Sequence, residues 1–175
     1  FLDIIFSFLG LAILSPIMRI IWFIGFFENG SPIFVQRRMG INEKIFLIIK
    51  FRTMKKGTKS VATHLINTSN ITSFGHLLRI TKLDEIPQLY NVLKGEMSMV
   101  GPRPCLTNQK KLIRERKLRG VFQVKPGITG LAQISGITMR TPTLLAESET
   151  IMIQKLNIYY YFYYIIKTFF FIFKK

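Results

Sequence analysis

The segment LLRITKLDEIPQLYNVLKGEMSMVGPRP, residues 77–104, carries the features from which we predict the fold and the chemistry of this chain. It contains an adjacent acidic pair, Asp84 and Glu85, in a chain with 9 acidic residues against 25 lysines and arginines. Neighbouring carboxylates repel each other, so both stay ionised where cations or a metal ion hold them. Four cations of the same segment surround the pair in sequence: Arg79, Lys82, Lys94 and Arg103.

Two interpretations of the acidic pair follow from its spacing. A carboxylate pair among cations suits a reaction on a phosphate ester, because the cations bind the phosphate while a carboxylate binds a divalent metal or attacks phosphorus. Alternatively, Asp84 and Glu85 form the acidic first turn of an ordinary helix, a position that also tolerates Pro87. The spacing alone leaves both interpretations open.

The residues after the pair predict a helix over residues 84–93, with apolar side chains at helical spacing. Gly95 is expected to follow the helix as its left-handed C-terminal residue. Asp84 and Glu85 would then lie in the first turn, where unpaired backbone N–H groups favour bound anions such as phosphate. Residues 101–104, Gly-Pro-Arg-Pro, predict a rigid turn that aims Arg103 at the same place.

Composition narrows the class of protein. A length of 175 residues suits one domain with a substantial core. A formal net charge of +16 together with 49% hydrophobic residues is typical of a protein at an anionic membrane surface. Cys105 is the single cysteine, which excludes an internal disulfide and a cysteine-based zinc site. His64 and His76 lack metal-ligand spacing and are interpreted as ordinary surface or loop residues.

Residues 1–27 are almost wholly apolar, with Asp3, Arg19 and the step Ser15–Pro16 as interruptions. Proline removes a backbone hydrogen bond and kinks a helix, and each arm beside Ser15–Pro16 is too short to cross a bilayer alone. We therefore expect residues 1–30 to form a re-entrant membrane helix broken at Ser15–Pro16, with both ends on the cytoplasmic face. A kinked single span is the alternative.

Residues 31–175 are expected to form the second domain, which begins with a β-hairpin. Residues 33–38 and 45–53 are β-rich, and residues 39–42 between them predict the turn. The basic run at residues 50–56 is interpreted either as a solvated edge or as a contact to phosphates or lipid headgroups. Residues 57–73 predict a mobile loop with one short helix.

Helical periodicity predicts helices over residues 74–80 and 143–156. Residues 108–120 predict a basic helix, which either is solvated or lies on anionic lipid. Residues 158–173 are dense in aromatics and predict an interfacial segment or a helix packed under the domain. The Gly-rich residues 125–136 lack the known nucleotide-loop patterns. The expected class is α/β, mostly helical, with a β-hairpin and interfacial amphipathic helices.

Four stretches together resemble a known family. Ser15–Pro16, KFRTM (50–54), residues 83–104 and KPGITGLAQISG (125–136) occur in the order and spacing of the bacterial sugar transferases, the monotopic phosphoglycosyl transferases that start lipid-linked glycan assembly. The resemblance covers nearly the whole chain, and residues 83–104 are its most specific part.

The resemblance implies an enzyme that moves a sugar-1-phosphate from a UDP-sugar to undecaprenyl phosphate and releases UMP. Asp84 matches the family's nucleophile, which forms an acyl-phosphate intermediate, and Glu85 would help to place Mg²⁺ or the incoming phosphate. The implied metal ligands are therefore Asp84 and Glu85. Positions that we match to substrate or phosphate binding are Lys50, Arg52, Arg79, Arg103, Pro104, Gly127, Thr129 and Gln133. Ser15–Pro16 matches the helix break that keeps family members in one leaflet.

The resemblance also implies a location at the bacterial cytoplasmic membrane, with the catalytic domain on the cytoplasmic face. Expected partners are a UDP-sugar, undecaprenyl phosphate and anionic lipids. No nucleic-acid partner is expected, and the formation of a homo-oligomer is left open. Two departures concern the site and the tail. Ile137 stands where many members carry Arg, so that Arg140 is the nearest, and residues 159–164 hold tyrosines and Phe162 where members carry Asp. We also expect natural residues before Phe1, because members often have a basic stretch there.

Two other functions are weighed against this one. A basic nucleic-acid-binding protein accounts for the charge but not for residues 1–27, and no nucleic-acid-binding signature is present. A catalytically inactive membrane adaptor with the same fold is the other alternative, and the intact Asp84–Glu85 pair argues against it.

Overall fold

A computed structural model describes residues 1–58 and 68–173 of the chain. Two short β-ribbons are surrounded by helices, so the class is mostly helical α/β. The elements in chain order are α1 (Leu2–Asn29), β1 (Ile33–Met39), β2 (Ile45–Phe51), α2 (Ser73–Thr81), α3 (Gln88–Leu93), β3 (Ser98–Val100), α4 (Lys110–Leu118), β4 (Gly127–Thr129), α5 (Leu131–Ile134), α6 (Pro142–Lys155) and α7 (Ile158–Phe173).

Helix α1 is continuous from Leu2 to Asn29 and contains Pro16 in its interior. Proline lacks an N–H, so the carbonyl of Ala12 loses its usual helical partner. The hydroxyl of Ser15 donates to that carbonyl at 2.9 Å, which offsets the lost bond. The helix is therefore continuous through Ser15–Pro16. The expected re-entrant bend of the membrane helix at this step stays a prediction, and so does the path of the helix relative to a bilayer.

Helix α1 contacts the rest of the protein at both of its ends. Near its start, Asp3 Oδ1 accepts a bond of 2.9 Å from the backbone N–H of Met99. Near its end, Ile21 is buried with Phe51 and Leu78 in one hydrophobic cluster. Most other apolar side chains of α1 are exposed, including Phe8, Ile13, Phe23 and Phe27. Among the described residues, α1 is the one helix long and apolar enough to cross a membrane.

The predicted hairpin is confirmed: β1 and β2 pair antiparallel, from Ile33 opposite Phe51 to Met39 opposite Ile45. Its turn is a 3₁₀ turn over Ile41–Glu43. Phe46 and Ile48 of β2 pack against Val92 and Met97 in a buried cluster. The buried side chain of Asn91 accepts from Ile49 N–H and donates to the carbonyl of Leu47, so it pairs with the free edge of β2.

The segment at residues 77–104 folds differently from the prediction in one respect. Asp84 and Glu85 lie in a separate 3₁₀ turn, Leu83–Glu85, and α3 begins later, at Gln88. The expectation that the pair occupies the first turn of the following helix is therefore wrong. Lys82, with φ of 59°, reverses the chain between α2 and this turn, which lets the turn face β2. Gly95 follows α3 with φ of 78°, as predicted.

Strands β3 and β4 pair in parallel, with Ser98 opposite Gly127 and Val100 opposite Thr129. The backbones of Gly101 and Gly127 approach each other very closely beside this strand pair. A Cβ atom placed on Gly127 would lie 2.0 Å from the backbone N of Gly101. Glycine is therefore required at this position by backbone packing. The Gly-rich segment thus has a structural task in addition to any contact with a ligand.

The predicted helices at residues 74–80, 108–120 and 143–156 are confirmed as α2, α4 and α6, and residues 158–173 form α7. Tyr164 of α7 is buried with Val100 and Met152, so part of this aromatic helix belongs to the core. Of the predicted loop at residues 57–73, residues 59–67 lie outside the described residues, and so does His64. The division at residue 30 stays a prediction.

Candidate active site

Glu85 forms the centre of an ion cluster that joins three distant parts of the chain. Its Oε1 lies 2.7 Å from Lys50 Nζ and 3.0 Å from Arg103 Nη2. Lys50 comes from β2, and Arg103 from the turn after β3. The side chains of Lys50 and Glu85 are 17% and 12% exposed, so this pair is poorly screened by solvent. Sequence positions 50, 85 and 103 thus form one site.

Asp84 is buried beside this cluster, with 8% of its surface exposed. Burial, followed by the charge of Glu85, raises the pKa of Asp84 to about 6. The charges of Lys50, Lys82 and Arg79 act in the opposite direction. At neutral pH Asp84 is therefore mainly ionised and held in a place that disfavours its charge, which is the condition of a reactive carboxylate.

The two neighbouring carboxylates differ in their electrostatics. Burial alone would raise the pKa of Glu85, but Lys50 and Arg103 outweigh it and hold the pKa well below the usual range. Glu85 is thus a permanently ionised partner of cations, whereas Asp84 is the group whose charge is least compensated. A pair of acids with separated pKa values is characteristic of sites in which each acid has its own task.

Arg79 approaches the acidic pair from α2. Its Nε donates to Thr53 Oγ1 at 2.8 Å, and its charge lowers the pKa of Asp84. Helix α2 can come this close to the strand end because Gly75 lies against Thr53, where a Cβ atom would stand 2.2 Å from the Thr53 carbonyl oxygen. The predicted basic positions Lys50, Arg79 and Arg103 are therefore brought together around Asp84 and Glu85.

Two cavities meet at Glu85 and Arg103. The larger has a volume of about 230 Å³ and a mainly apolar lining, with Leu89, Met99 and Ile134 among its residues. Thr129 and Gln133 also line it. The smaller has a volume of about 30 Å³ and is lined by cations and by Pro104 and Gly127. Besides the members of the ion cluster, four further predicted site residues thus border a cavity: Pro104, Gly127, Thr129 and Gln133.

Arg52 is placed apart from this cluster. Its Nε donates to the Ser31 carbonyl at 2.8 Å, its Nη2 donates to the Ile33 carbonyl, and its guanidinium lies over the ring of Phe34. These contacts hold the turn between α1 and β1. The predicted phosphate contact of Arg52 stays a prediction.

Arg38, Gln88 and Thr53 are site residues that the sequence did not predict. Arg38 lies on β1, where its alternation with exposed Arg37 is the local signal that it faces inward. Gln88 and Thr53 carry no such signal, since a single polar residue at a helix start or strand end is common. Their place follows from long-range packing.

The acidic pair supplies only part of the ligand set that a magnesium ion needs. Across residues 1–58 and 68–173, no group of three or more His, Cys, Asp or Glu side chains is suited to hold a metal ion. Mg²⁺ is commonly held by one or two carboxylates together with substrate phosphates. Lys50 and Arg103 both contact Glu85 at Oε1. Asp84 and Glu85 supply two carboxylates, a donor set that a phosphate ligand would complete.

Comparison with known proteins shows the family of this chain. The Bacterial sugar transferase family model matches residues 1–175. A protein of Klebsiella pneumoniae named UDP-glucose:undecaprenyl-phosphate glucose-1-phosphate transferase is 42% identical over 149 residues, which are 81% of this chain and 32% of that protein. The undecaprenyl-phosphate galactose phosphotransferase of Salmonella typhimurium is 37% identical over 154 residues, 77% of this chain and 32% of that protein. The sugar transferase EpsL of Bacillus subtilis is 46% identical over 108 residues, 61% and 53% of the two chains.

The described site holds an acidic pair among buried cations, in a chain that also carries an exposed apolar helix. This chain belongs to the bacterial sugar transferase family, and the resemblance predicted from its motifs is confirmed. The chain spans about a third to about a half of the length of these curated relatives.

Proposed function

We propose that this chain transfers a sugar-1-phosphate from a UDP-sugar to undecaprenyl phosphate and releases UMP, through a covalent phosphosugar on Asp84. The names of the relatives support the two substrates. The observation that carries the chemistry is the buried, poorly compensated carboxylate of Asp84 beside the Lys50–Glu85–Arg103 cluster.

In the first step, an Asp84 carboxylate oxygen attacks the phosphorus that bears the sugar. The new O–P bond forms as the bond to the bridging oxygen breaks, and UMP leaves with that electron pair. Lys50, Arg79 and Arg103 are placed to bind phosphate oxygens and to stabilise the charge that develops on them. The raised pKa of Asp84 makes it a better nucleophile than an exposed aspartate would be.

In the second step, an oxygen of the lipid phosphate attacks the same phosphorus. The bond to Asp84 breaks, and the carboxylate is regenerated for the next cycle. Because the phosphosugar waits on the enzyme, UMP leaves before the lipid phosphate enters, and one set of cations serves both phosphates in turn.

Mg²⁺, when bound, would neutralise phosphate charge in this site. Asp84 and Glu85 are the residues that would hold it together with substrate phosphate. Glu85 otherwise fixes Lys50 and Arg103 at the distances observed. The protein's own contribution is therefore to orient two cations and to keep the Asp84 carboxylate out of bulk water.

A membrane location is part of the proposal. Helix α1 exposes apolar side chains while both of its ends contact the domain, which fits a helix that enters one leaflet and returns. Ion pairs beside an apolar cavity suit a reaction between a soluble nucleotide and a lipid at the headgroup level. We place the site on the cytoplasmic face, where nucleotide sugars are made.

The test is the variant Asp84→Asn, assayed in full-length protein with undecaprenyl phosphate and a panel of UDP-sugars. We expect UMP release to be lost while folding and membrane binding are retained. Glu147→Gln, which removes one exposed carboxylate, is the matched control and should keep wild-type activity. Near-normal UMP release by Asp84→Asn would remove Asp84 as the nucleophile, and a wild-type protein inactive with every donor would favour the adaptor.

A further inference from the structure

The small cavity behind Glu85 has features that the proposed reaction does not yet use. Its volume is about 30 Å³, and its polar lining includes Arg38, Lys50, Glu85, Gln88 and Arg103. A space of this size admits about one or two oxygen atoms and excludes a whole nucleotide. Any ligand must therefore enter as a small polar group.

Two hydrogen-bond donors at this cavity have no partner. Arg38 uses Nη1 for the Pro104 carbonyl at 3.1 Å and Nη2 for Gln36 Oε1 at 2.6 Å, yet its buried Nε has no acceptor. Gln88 is 2% exposed, and its Nε2 also has no acceptor. Buried donors are almost always paired in folded proteins, so two at one cavity indicate a missing acceptor.

The charges at the cavity are also unbalanced. Three cations, Arg38, Lys50 and Arg103, line it with Glu85 as the facing carboxylate. Burial, and then the charge of Arg103, lowers the pKa of Arg38 to about 10. Burial is likewise the main cause that lowers the pKa of Lys50. Buried charges are normally paired, and here three cations share the single carboxylate of Glu85 in the lining, so positive charge is in excess.

We propose that this cavity is a phosphoryl-oxygen site, in which Arg38 Nε and Gln88 Nε2 donate to a phosphate group that Lys50 and Arg103 also contact. The ligand class is a phosphate monoester or diester. The identity of that phosphate, on the nucleotide or on the lipid, rests on the proposed function. Arg38 would also fix the Pro104 carbonyl, and with it the turn that carries Arg103.

The test uses the full chain in detergent micelles, with binding measured by titration calorimetry. The probes are UMP, inorganic phosphate and a short-chain isoprenyl phosphate. Arg38→Gln and Gln88→Met each remove one donor at similar size, and each is expected to weaken the binding of at least one probe by about tenfold. Arg37→Gln is the matched control, because it removes the same charge from the exposed face of the same strand.

Weaker binding of UMP and inorganic phosphate would assign the site to the nucleotide, and weaker binding of the isoprenyl phosphate would assign it to the lipid; either supports the proposal. Unchanged affinity for all three probes in both variants, or an equal loss of affinity in Arg37→Gln, would overturn the proposal and indicate that the cavity holds water.

Thermal melts monitored by circular dichroism confirm that the variants fold. Gln88→Glu, which adds a charge that repels phosphate, is a further variant and is expected to weaken binding more than Gln88→Met. A wild-type protein that binds phosphate through these donors but makes no lipid-linked product would contradict the proposed function alone.

Discussion

Arg116 Nη2 donates to the main-chain oxygen of Arg103 at 2.8 Å, and the same guanidinium binds the carboxylate of Glu149 through Nε and Nη2. Arg116 is 2% exposed and Glu149 is fully buried. The side chain of Arg103 in turn reaches Glu85 at 3.0 Å. A buried ion pair between α4 and α6 therefore fixes the backbone from which Arg103 enters the site.

The first prediction concerns this ion pair. Arg116→Met should lower the free energy of unfolding by about 3–5 kcal/mol, because it leaves the buried charge of Glu149 without a partner. The double variant Arg116→Met with Glu149→Met should lose less, since no charge is then buried alone. Denaturant unfolding monitored by circular dichroism measures both values. Equal stability of wild type and Arg116→Met would show that the pair does not hold this part of the fold.

The hairpin and helices α2, α4 and α6 could be predicted because each follows a local pattern of apolar residues. The strands β3 and β4 could not, because three residues are too few to show alternation. The turn that holds Asp84 and Glu85 was missed because the apolar spacing from Ile86 continues smoothly into α3. The left-handed conformation of Lys82, a residue type that rarely adopts it, gives no signal in the sequence.

The candidate site was predictable only in part. Lys50 and Glu85 are 35 positions apart in the chain, so spacing gives no sign of their contact. The family resemblance assigned both residues to one substrate site but did not pair them with each other. Arg52 and Arg116 show the same difficulty, because a basic segment leaves open whether a given side chain faces solvent or contacts a phosphate or lipid headgroup. In the folded chain Arg52 binds two backbone carbonyls, and Arg116 lies in the core.

The second prediction is that the nucleophile is held at a cost in stability. The pKa of Asp84 is raised to about 6 from an ordinary value of 3.8, so the folded state disfavours its charge at neutral pH. Asp84→Asn should therefore raise the free energy of unfolding at pH 7 by about 1–3 kcal/mol, although it abolishes activity. The gain should shrink as pH falls through the folded pKa of about 6 and vanish below about pH 3, where Asp84 is protonated in both states. A less stable variant at pH 7 would contradict the assigned burial.

The third prediction is a pH dependence of the first half-reaction. Asp84 attacks as the carboxylate, so the rate of UMP formation without lipid should rise with pH and reach half its plateau at about pH 6. Glu85 stays ionised over this range because Lys50 and Arg103 hold its pKa below the usual value. Rapid-quench measurement of UMP between pH 4.5 and 8 provides the curve. A midpoint near that of an exposed aspartate would argue against this assignment.

The fourth prediction concerns the anchor at the start of α1. Asp3 Oδ1 accepts bonds from Met99 N–H, from Ser98 Oγ and from Tyr161 Oη at 2.7 Å. Tyr161→Phe should lower the free energy of unfolding by about 1–2 kcal/mol, because it removes one hydrogen bond to the Asp3 carboxylate. It should also make α1 more sensitive to limited proteolysis in detergent. Tyr159→Phe, at an exposed position of α7, is the control and should change neither quantity.

The most direct measurement of the central claim is intact-protein mass spectrometry after the chain is mixed with a UDP-sugar and no lipid acceptor. We predict an added mass equal to one sugar phosphate, located on the peptide that contains Asp84, and its disappearance when undecaprenyl phosphate is supplied. The Glu147→Gln control should form the same adduct, and Asp84→Asn should form none. Transfer of sugar phosphate to the lipid without any adduct, under quench conditions that preserve acyl phosphates, would contradict the covalent role of Asp84.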